Sequence, residues 1–277
     1  MMGEIRIINF QIIFLSKPNN CWIKCTGLLG ANSAICYLSL LLEDSNFYSV
    51  NVIKSKLLKL DTKIKDIILR NISKSFNGVN FINNLSLEIP AGSNVAVTGK
   101  SGSGKSTLVN MLMGFILPDI GNITLLEMDV NKENINEIRE NLSWVPQELN
   151  FDVNYVCDLL LLPFDYNKNK KNKPSKKTIN NALEMFGLTE DILDKDVSDI
   201  SGGEKQRIFL TSSSLLNRKM IILDQPTSGL DAESKNKVIK YFLNECASTV
   251  VAVTHDQEWM DNSDIKIDLN NNNIERR

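Results

Sequence analysis

The sequence predicts an α/β fold in which helices flank a mainly parallel sheet. Three apolar, β-branched runs at 95–98, 219–224 and 249–254 have the composition of strands buried on both faces. Segments with helical spacing separate these runs. Because a parallel sheet with helices on its faces binds ligands at the carboxyl ends of its strands, the residues that end each run are candidate site residues.

The composition of the chain excludes several classes of protein. The length of 277 residues allows one large or two small domains. A formal net charge of −2 argues against a broad nucleic-acid-binding surface, which normally has a basic excess. The five cysteines form no C-x-x-C pair, as is typical of reduced thiols in a cytosolic protein. The single histidine, His255, excludes a metal site built from several histidines.

Residues 1–62 are interpreted as an N-terminal extension of uncertain structure. The apolar run at 5–15 is too short to span a bilayer, whereas 25–42 has eighteen residues without a charge, the lower edge of spanning length. Glycine, asparagine and serine dilute that second run, and no clean signal-peptide cleavage site follows it. Three interpretations stay open: a small extra element, a wrongly assigned translation start, or one membrane-associated or membrane-inserted helix.

An antiparallel unit is predicted in front of the parallel sheet. Residues 66–76 and 85–89 alternate apolar and polar side chains, the pattern of half-buried antiparallel strands. Asn77 and Gly78 between them are a turn signal. The chain then turns at 90–92 and enters the first strand of the parallel sheet.

The segment after that first strand has the spacing G-x-x-x-x-G-K-[ST], from Gly99 to Ser106. Gly102 and Gly104 let the backbone curl so that successive N–H groups point inward, and the helix that follows adds its positive N-terminal end. Lys105 is expected to contact the β- and γ-phosphates of a nucleotide, and the Ser106 hydroxyl to bind Mg²⁺. A strand before the loop and an apolar helix after it favour this P-loop over a glycine-rich turn that binds nothing.

The central part of the chain is predicted to be rich in helices. A helix is expected at 134–140 and a strand at 142–147, and further helical segments are expected at 153–162, 178–186 and 190–193. The stretch at 167–177 contains six lysines and three asparagines. It is interpreted as a solvated loop, with contact to acidic lipid or RNA as the alternative.

A second anion-binding helix start is predicted at Ser201. Ser201 is a good N-cap for a helix that runs to about residue 216, and Gly202 and Gly203 leave the first N–H groups open to an anion. Farther along, Asp224 ends one buried run, an amphipathic helix is predicted at 231–246, and His255 follows the last run.

These motifs, in this order and at these intervals, resemble the ATP-binding cassette (ABC) family of ATPases over about residues 62–270. The P-loop comes first. Gln147 matches the Q-loop glutamine, residues 201–207 match the family signature, and Asp224 matches the Walker B aspartate. Residues 228–231 match the D-loop, and His255 matches the switch histidine. The resemblance implies a P-loop NTPase fold of the ABC type, with an antiparallel β subdomain and a helical subdomain at about 148–200, in a cassette at 63–277.

The resemblance also implies that the cofactors are ATP and Mg²⁺. Phe76 would stack on adenine, and the other residues expected to bind the nucleotide are Gly99, Ser101, Gly102, Ser103, Gly104, Lys105, Ser106, Thr107, Ser201, Gly202, Gly203 and Asp231. Those expected to hold Mg²⁺ and its waters are Ser106, Gln147 and Asp224. The signature residues Ser201 and Gly203 would contact the γ-phosphate of a nucleotide held by a second cassette. A head-to-tail dimer follows, formed with another copy of this chain or with another protein.

Gln147, Gln225 and His255 form the expected catalytic group, and Gln225 departs from the family pattern. ABC ATPases usually have a glutamate after the Walker B aspartate, where its carboxylate polarises the attacking water. Glutamine has nearly the same size but lacks a basic carboxylate, and a positioned general base typically contributes about 10²–10⁴-fold to the rate. We therefore expect tight ATP binding with slow hydrolysis. An engineered substitution and a naturally degenerate site remain open as explanations.

The expected function is that of an ATP-binding subunit that drives a separate membrane permease, similar to cassettes of exporters or small metal-efflux systems. Such a subunit is cytoplasmic and peripheral at the inner face of the membrane, and no nucleic-acid partner is expected. Unless the sequence is a fragment, the permease is another polypeptide, because several membrane-spanning helices are missing. The alternatives are a soluble non-transport ABC ATPase, for example of the iron–sulfur assembly type, and a regulatory ATP-binding module.

Overall fold

The computed structural model describes residues 3–7, 10–17, 20–27, 64–148, 151–271 and 273–276. Residues 28–42, most of the uncharged run at 25–42, lie outside these described residues. Within the described ranges, no helix has both the length and the apolar character needed to cross a bilayer. The strands of the extension are β1 (Gly3–Ile7), β2 (Phe10–Lys17) and β3 (Asn20–Gly27), and they pair antiparallel in that order.

The remaining elements are given in chain order. The strands are β4 (Lys65–Phe76), β5 (Val79–Pro90), β6 (Asn94–Thr98), β7 (Ile120–Leu125), β8 (Met128–Asp129), β9 (Leu142–Val145), β10 (Met220–Asp224), β11 (Thr249–Val253), β12 (Ile265–Asp268) and β13 (Asn273–Arg276). The helices are α1 (Lys105–Leu112), α2 (Ile135–Glu140), α3 (Val156–Leu161), α4 (Lys176–Met185), α5 (Gly202–Leu215), α6 (Ala232–Lys240) and α7 (Gln257–Asn262).

The core sheet has the order β13-β12-β6-β11-β10-β9. Its strands from β12 to β9 are parallel, and β13 is antiparallel at the edge. Strands β6, β10 and β11 are almost wholly buried, as their β-branched composition predicts. The prediction of a mainly parallel sheet with flanking helices is confirmed. Because the strands are parallel, the chain leaves β6, β9, β10 and β11 at the same edge of the sheet.

The second sheet is antiparallel, with the order β5-β4-β7-β8. Asn77 and Gly78 join β4 to β5 with φ angles of 50° and 79°, the left-handed pair that a tight hairpin requires. The second strand begins at Val79, six residues before the predicted start at 85. Its pairing with β4 contains several register shifts, and Asn84 has a φ of 48°. Bulges of this kind break the alternation on which the prediction depended.

The central helices differ from the prediction at their ends. Helix α3 begins at Val156 rather than 153, because the preceding Tyr155 pairs with Asp196 in an isolated β-bridge. The amphipathic helix predicted at 231–246 ends as α helix at Lys240 and continues as a π turn over Tyr241–Glu245. The predicted loop at 167–177 contains a 3₁₀ turn, Lys170–Asn172, and the start of α4.

Helix α5 tolerates polar residues in the core because each finds a partner. The Ser212 hydroxyl donates to the Leu160 carbonyl over 2.7 Å, and the Ser213 and Ser143 hydroxyls lie 2.8 Å apart. Ser201 caps the helix as predicted, in a capping box with Glu204. These contacts fix α5 against α3 and β9, and thereby fix the position of its N-terminal end.

A buried polar contact joins the two sheets. The Thr249 hydroxyl on β11 accepts a hydrogen bond from the Gly92 N–H over 2.7 Å and donates to the Asp66 carboxylate on β4. Asp66 is only 8% exposed, and burial raises the pKa of its carboxyl, although the bond from Thr249 opposes that rise. The Thr249 hydroxyl is thus one of the contacts that attach the antiparallel sheet to the core sheet.

Replacing Thr249 by valine is expected to lower the free energy of unfolding by about 2–4 kcal/mol, because it removes the hydroxyl that hydrogen-bonds both the buried Gly92 N–H and the buried Asp66 carboxylate. Chemical denaturation of the variant measures this loss. Thr124→Val is the matched control, since its hydroxyl bonds the exposed Asp129 carboxylate, and it is expected to change stability by less than about 0.5 kcal/mol. Equal effects of the two substitutions would contradict the assigned role of Thr249.

Candidate nucleotide site at the carboxyl edge of the core sheet

The loop between β6 and α1 depends on glycine at two positions. Gly104 has a φ of 97°, and a Cβ there would lie 2.5 Å from the Phe81 carbonyl oxygen. At Gly99 a Cβ would lie 2.4 Å from the Ser103 hydroxyl oxygen. Gly102 also has a positive φ, 78°, but faces open space. The backbone therefore curls tightly against the β4–β5 hairpin at a point where no side chain fits.

The Lys105 ammonium group closes this loop. Its Nζ donates to the carbonyl oxygens of Gly99 and Lys100, each over 2.7 Å. Inside the loop, the Ser103 hydroxyl is buried without a hydrogen-bond partner. A cation coordinated only by carbonyl oxygens, beside an unpaired hydroxyl and the N-terminal end of α1, is an arrangement that fits a phosphate group.

A cavity of about 590 Å³ opens beside the loop. It is lined by Phe81, Ser101, Gly102, Gly104, Lys105, Ser106, Thr107, Gln147, Asp224, Gln225, Ser228, Val253 and His255. These residues come from the chain segments that leave β6, β9, β10 and β11, together with Phe81 of the hairpin. The fold thus gathers at one edge of the sheet residues that lie far apart in the sequence.

Asp224 is the carboxylate of this cavity. Burial raises the pKa of its carboxyl, while the charge of Lys105 lowers it. In the described part of the chain, no cluster of three or more histidine, cysteine, aspartate or glutamate side chains is placed to bind a metal. One carboxylate with the Ser106 hydroxyl and the Gln147 amide is a donor set of hard oxygens, which suits Mg²⁺ that keeps waters and phosphate oxygens as its other ligands.

Gln225 follows Asp224 with a strained backbone. Its φ is 53°, in the left-handed region, and its N–H donates to the Val253 carbonyl over 2.8 Å. Strained residues persist where the surrounding structure holds them, and they concentrate at functional sites. His255, at the end of the neighbouring strand, is exposed and lines the same cavity.

The aromatic residues of the hairpin are arranged differently from the expectation. Phe76 is 41% exposed and is not among the residues that line the cavity. Its ring lies edge to face on Phe81, with centroids 5.6 Å apart, and the Lys74 ammonium lies 5.2 Å from its centroid. Phe81, which sequence reasoning missed, is the aromatic side chain that lines the cavity. Only the register of the β4–β5 hairpin, with its bulges, could have identified it.

The signature segment lines a second cavity, of about 640 Å³. The lining residues are Gln147, Ser201, Gly202, Gly203, Lys205, Gln206, Arg207, Gln225, Ser228, Gly229 and Asp231. Gln147, Gln225 and Ser228 are common to both cavities, whereas Ser201, Gly202 and Gly203 line only the second. The N-terminal ends of α1 and α5 in one chain therefore line two different, adjoining cavities.

Asp231, which lines this second cavity, is the N-cap of α6. Its carboxylate caps α6 by accepting from the Ser234 N–H over 2.9 Å and from the Ser234 hydroxyl over 2.7 Å. The N–H bond lowers the pKa of the Asp231 carboxyl. The carboxylate is thus held in its ionised form at the start of the helix.

Comparison with known proteins identifies the family of this chain. The family model described as ABC transporter matches residues 82–228. The probable iron export ATP-binding protein FetA of Escherichia coli K12 is 31% identical over 204 residues, covering 73% of this chain and 89% of the relative. The spermidine/putrescine import ATP-binding protein PotA of Fusobacterium nucleatum is 35% identical over 202 residues. The match covers 70% of this chain but about half, 52%, of that relative.

Solved structures share the fold. The dimeric structure of MJ0796, a bacterial ABC transporter cassette, superposes with a TM-score of 0.63 at 27% identity, over 73% of this chain and 93% of that one. A bacterial Atm1-family ABC exporter gives a TM-score of 0.65 at 23% identity, over 75% of this chain and 37% of that one, a likeness of fold alone. This chain belongs to the ABC transporter family and has the fold of an ABC ATPase cassette.

Proposed function

We propose that this chain is the ATP-binding subunit of an ABC transporter and that it holds MgATP in the 590 Å³ cavity. The observation that supports this most strongly is that Lys105 and Ser106, which follow β6, meet Asp224, which ends β10, in one cavity. Lys105 and the loop N–H groups bind the β- and γ-phosphates, and Ser106, Asp224 and Gln147 hold Mg²⁺ and its waters. His255 hydrogen-bonds the γ-phosphate.

The adenine is proposed to stack on the exposed face of Phe76. Phe81 packs against the edge of that ring from the side of the cavity and supports it. The remaining loop residues, Gly99 to Thr107, contact the phosphates through their backbone. We propose that the cassette occupies residues 63–277, with a helical subdomain at about 148–200, and that residues 1–62 are an extension outside it.

The proposed active form is a head-to-tail dimer. Within one chain, Ser201 and Gly203 line a different cavity from Lys105, so each chain offers half of a nucleotide site and one cap for a partner. The partner cassette is a second copy of this chain or another ABC ATPase. A dimer that closes on two ATP molecules and reopens after hydrolysis would transmit movement to a separate permease.

A permease contact is proposed at two exposed aromatic side chains. Phe115 and Trp144 are both large, partly exposed aromatic residues whose ring centroids lie 6.1 Å apart. Trp144 lies on β9, three residues before Gln147 in the sequence, and an exposed aromatic pair suits the docking of a helix from a membrane partner. The subunit would then be cytoplasmic and peripheral at the membrane. The relatives named above serve both import and export, so the direction and the cargo are outside the proposal.

Titration calorimetry with ATP, with and without Mg²⁺, tests the nucleotide site. Ser106→Ala is expected to weaken MgATP binding by at least about tenfold while changing the affinity for metal-free ATP much less, because the hydroxyl is a proposed metal ligand. Ser101→Ala, in the same cavity, is the control and is expected to affect both forms equally. If Ser106→Ala affects both forms equally as well, the metal assignment is wrong.

A further inference from the structure

The segment at 166–177, called the lysine segment below, is the most basic stretch of the chain. It contains six lysines and no acidic residue, in a protein of net charge −2. All six lysines are exposed. Positive charge is therefore concentrated at one place on an otherwise slightly acidic molecule.

The base of the lysine segment is fixed to the body of the protein. The Asn169 side chain donates to the Pro163 carbonyl over 2.7 Å and accepts a hydrogen bond from the Arg218 guanidinium. The Asn169 N–H donates to the Tyr166 carbonyl over 2.8 Å. A short 3₁₀ turn over Lys170–Asn172 follows. The lysines thus extend from an anchored turn.

Most of this charge is not neutralised by the protein. Lys168 pairs with Glu140 and Lys176 with Glu190, each over 2.6 Å. The other four lysines form no ion pair with any residue that the structure describes; they are Lys170, Lys171, Lys173 and Lys177. Four uncompensated cations within eight residues set up a positive potential that an anionic partner would relieve.

One exposed aromatic side chain belongs to the segment. Tyr166, at its start, is 67% exposed. The pair between Lys168 and Glu140 places the segment at the end of α2. An amphipathic ring such as that of Tyr166, beside lysines, is typical of surfaces that contact the headgroup region of a membrane.

We propose that the lysine segment docks on a membrane surface of anionic phospholipids, with Tyr166 at the headgroup level. Clusters of four to eight lysines attract anionic lipid, and each lysine near the surface raises the affinity roughly fivefold. This proposal rests on the proposed function, because a cassette that is bound to a permease lies close to a bilayer. It adds that this chain itself contacts the lipid.

The chemistry of the segment favours lipid over RNA or a phosphorylated protein. Fixed phosphate groups are usually recognised by the planar, bidentate fork of arginine, and the lysine segment contains no arginine. RNA recognition also uses several aromatic side chains for stacking, whereas the segment has only Tyr166. Lysines on flexible stems suit a fluid surface whose phosphates move.

Flotation with lipid vesicles tests the proposal on the full chain at about 0.1 M salt. The vesicles are phosphatidylcholine alone or phosphatidylcholine with about a third phosphatidylglycerol. The test variant is Lys170→Gln/Lys171→Gln/Lys173→Gln. The matched control, Lys132→Gln/Lys195→Gln/Lys240→Gln, removes the same charge from exposed lysines outside the segment. Affinity for MgATP is measured on each protein, so that failure of the nucleotide site is distinguished from failure of the lipid contact.

The unmodified chain is expected to float with the anionic vesicles and to be released by high salt. The test variant should lose roughly a hundredfold in partitioning, from about fivefold for each lysine, while the control loses much less. Equal losses in the two variants would overturn the proposal, as would equal flotation with neutral vesicles. Failure to float, or capture by RNA or an acidic protein in place of the vesicles, would overturn it too.

Discussion

Replacing Gln225 by glutamate is expected to raise the steady-state rate of ATP hydrolysis by about 10²–10⁴-fold, the contribution of a positioned general base. Gln225 lines both cavities, and its backbone is held by the bond to Val253. A carboxylate at this position would have nearly the same size and would polarise the water that attacks the γ-phosphate. Release of inorganic phosphate measures the rate.

Gln147→Glu is the matched control for this experiment, because Gln147 also lines both cavities. It introduces the same charge at the proposed metal position rather than at the position of the base, so no comparable gain is expected. Equal rates for the unmodified chain and Gln225→Glu would refute the assignment of the base position. A gain of the same size with Gln147→Glu would show that any added carboxylate suffices.

Replacing Lys105 by alanine is expected to weaken MgATP binding by about 10–100-fold, because a hydrogen bond to a charged group typically contributes about 1.5–3 kcal/mol. Without a nucleotide, the ammonium group donates only to two backbone carbonyls, and it would turn to the phosphates when ATP binds. Titration calorimetry with MgATP measures the loss.

Lys100→Ala is the control for Lys105. Lys100 is in the same loop and has the same charge, but it is exposed and is not among the residues that line the cavity. Its removal is expected to change the affinity by less than about threefold, since exposed charges are well screened. Similar losses for the two variants would mean that charge near the loop, rather than the Lys105 contact, determines binding.

Local signals in the sequence predicted the parts of the fold that depend on local chemistry. The buried strands follow from β-branched runs, the hairpin turn from Asn77 and Gly78, and the start of α5 from Ser201 with its capping box. The prediction of a P-loop came from the spacing of its residues together with the strand before it and the helix after it. The parts that depend on distant partners were less accurate, as at Val156, where the β-bridge between Tyr155 and Asp196 delays the helix.

In the candidate site, too, local sequence predicted some residues, and others depend on distant parts of the chain. Lys105 and Ser106 were identified from the loop that contains them, whereas the resemblance to a family was needed to bring Gln147 and His255 to the same site. Phe81 was missed, because its approach to Gly104 depends on how the β4–β5 hairpin packs against the loop. The burial of Asp66 and its bond to Thr249, 183 residues away, also lie beyond any local pattern.

The association of two chains around ATP is tested most directly by light scattering with and without MgATP. The account predicts that the mass rises from 31.2 kDa to about twice that value when MgATP is added, because slow hydrolysis at Gln225 preserves the closed dimer. Gly202→Glu should abolish the rise, since its carboxylate would meet the γ-phosphate held by the partner, whereas the neutral Gly202→Gln should weaken it less. Gly202 faces open space, so both variants are expected to fold. An unmodified chain that binds MgATP yet stays at 31.2 kDa would contradict this prediction. A Gly202→Glu variant that dimerises as well as the unmodified chain would contradict it too.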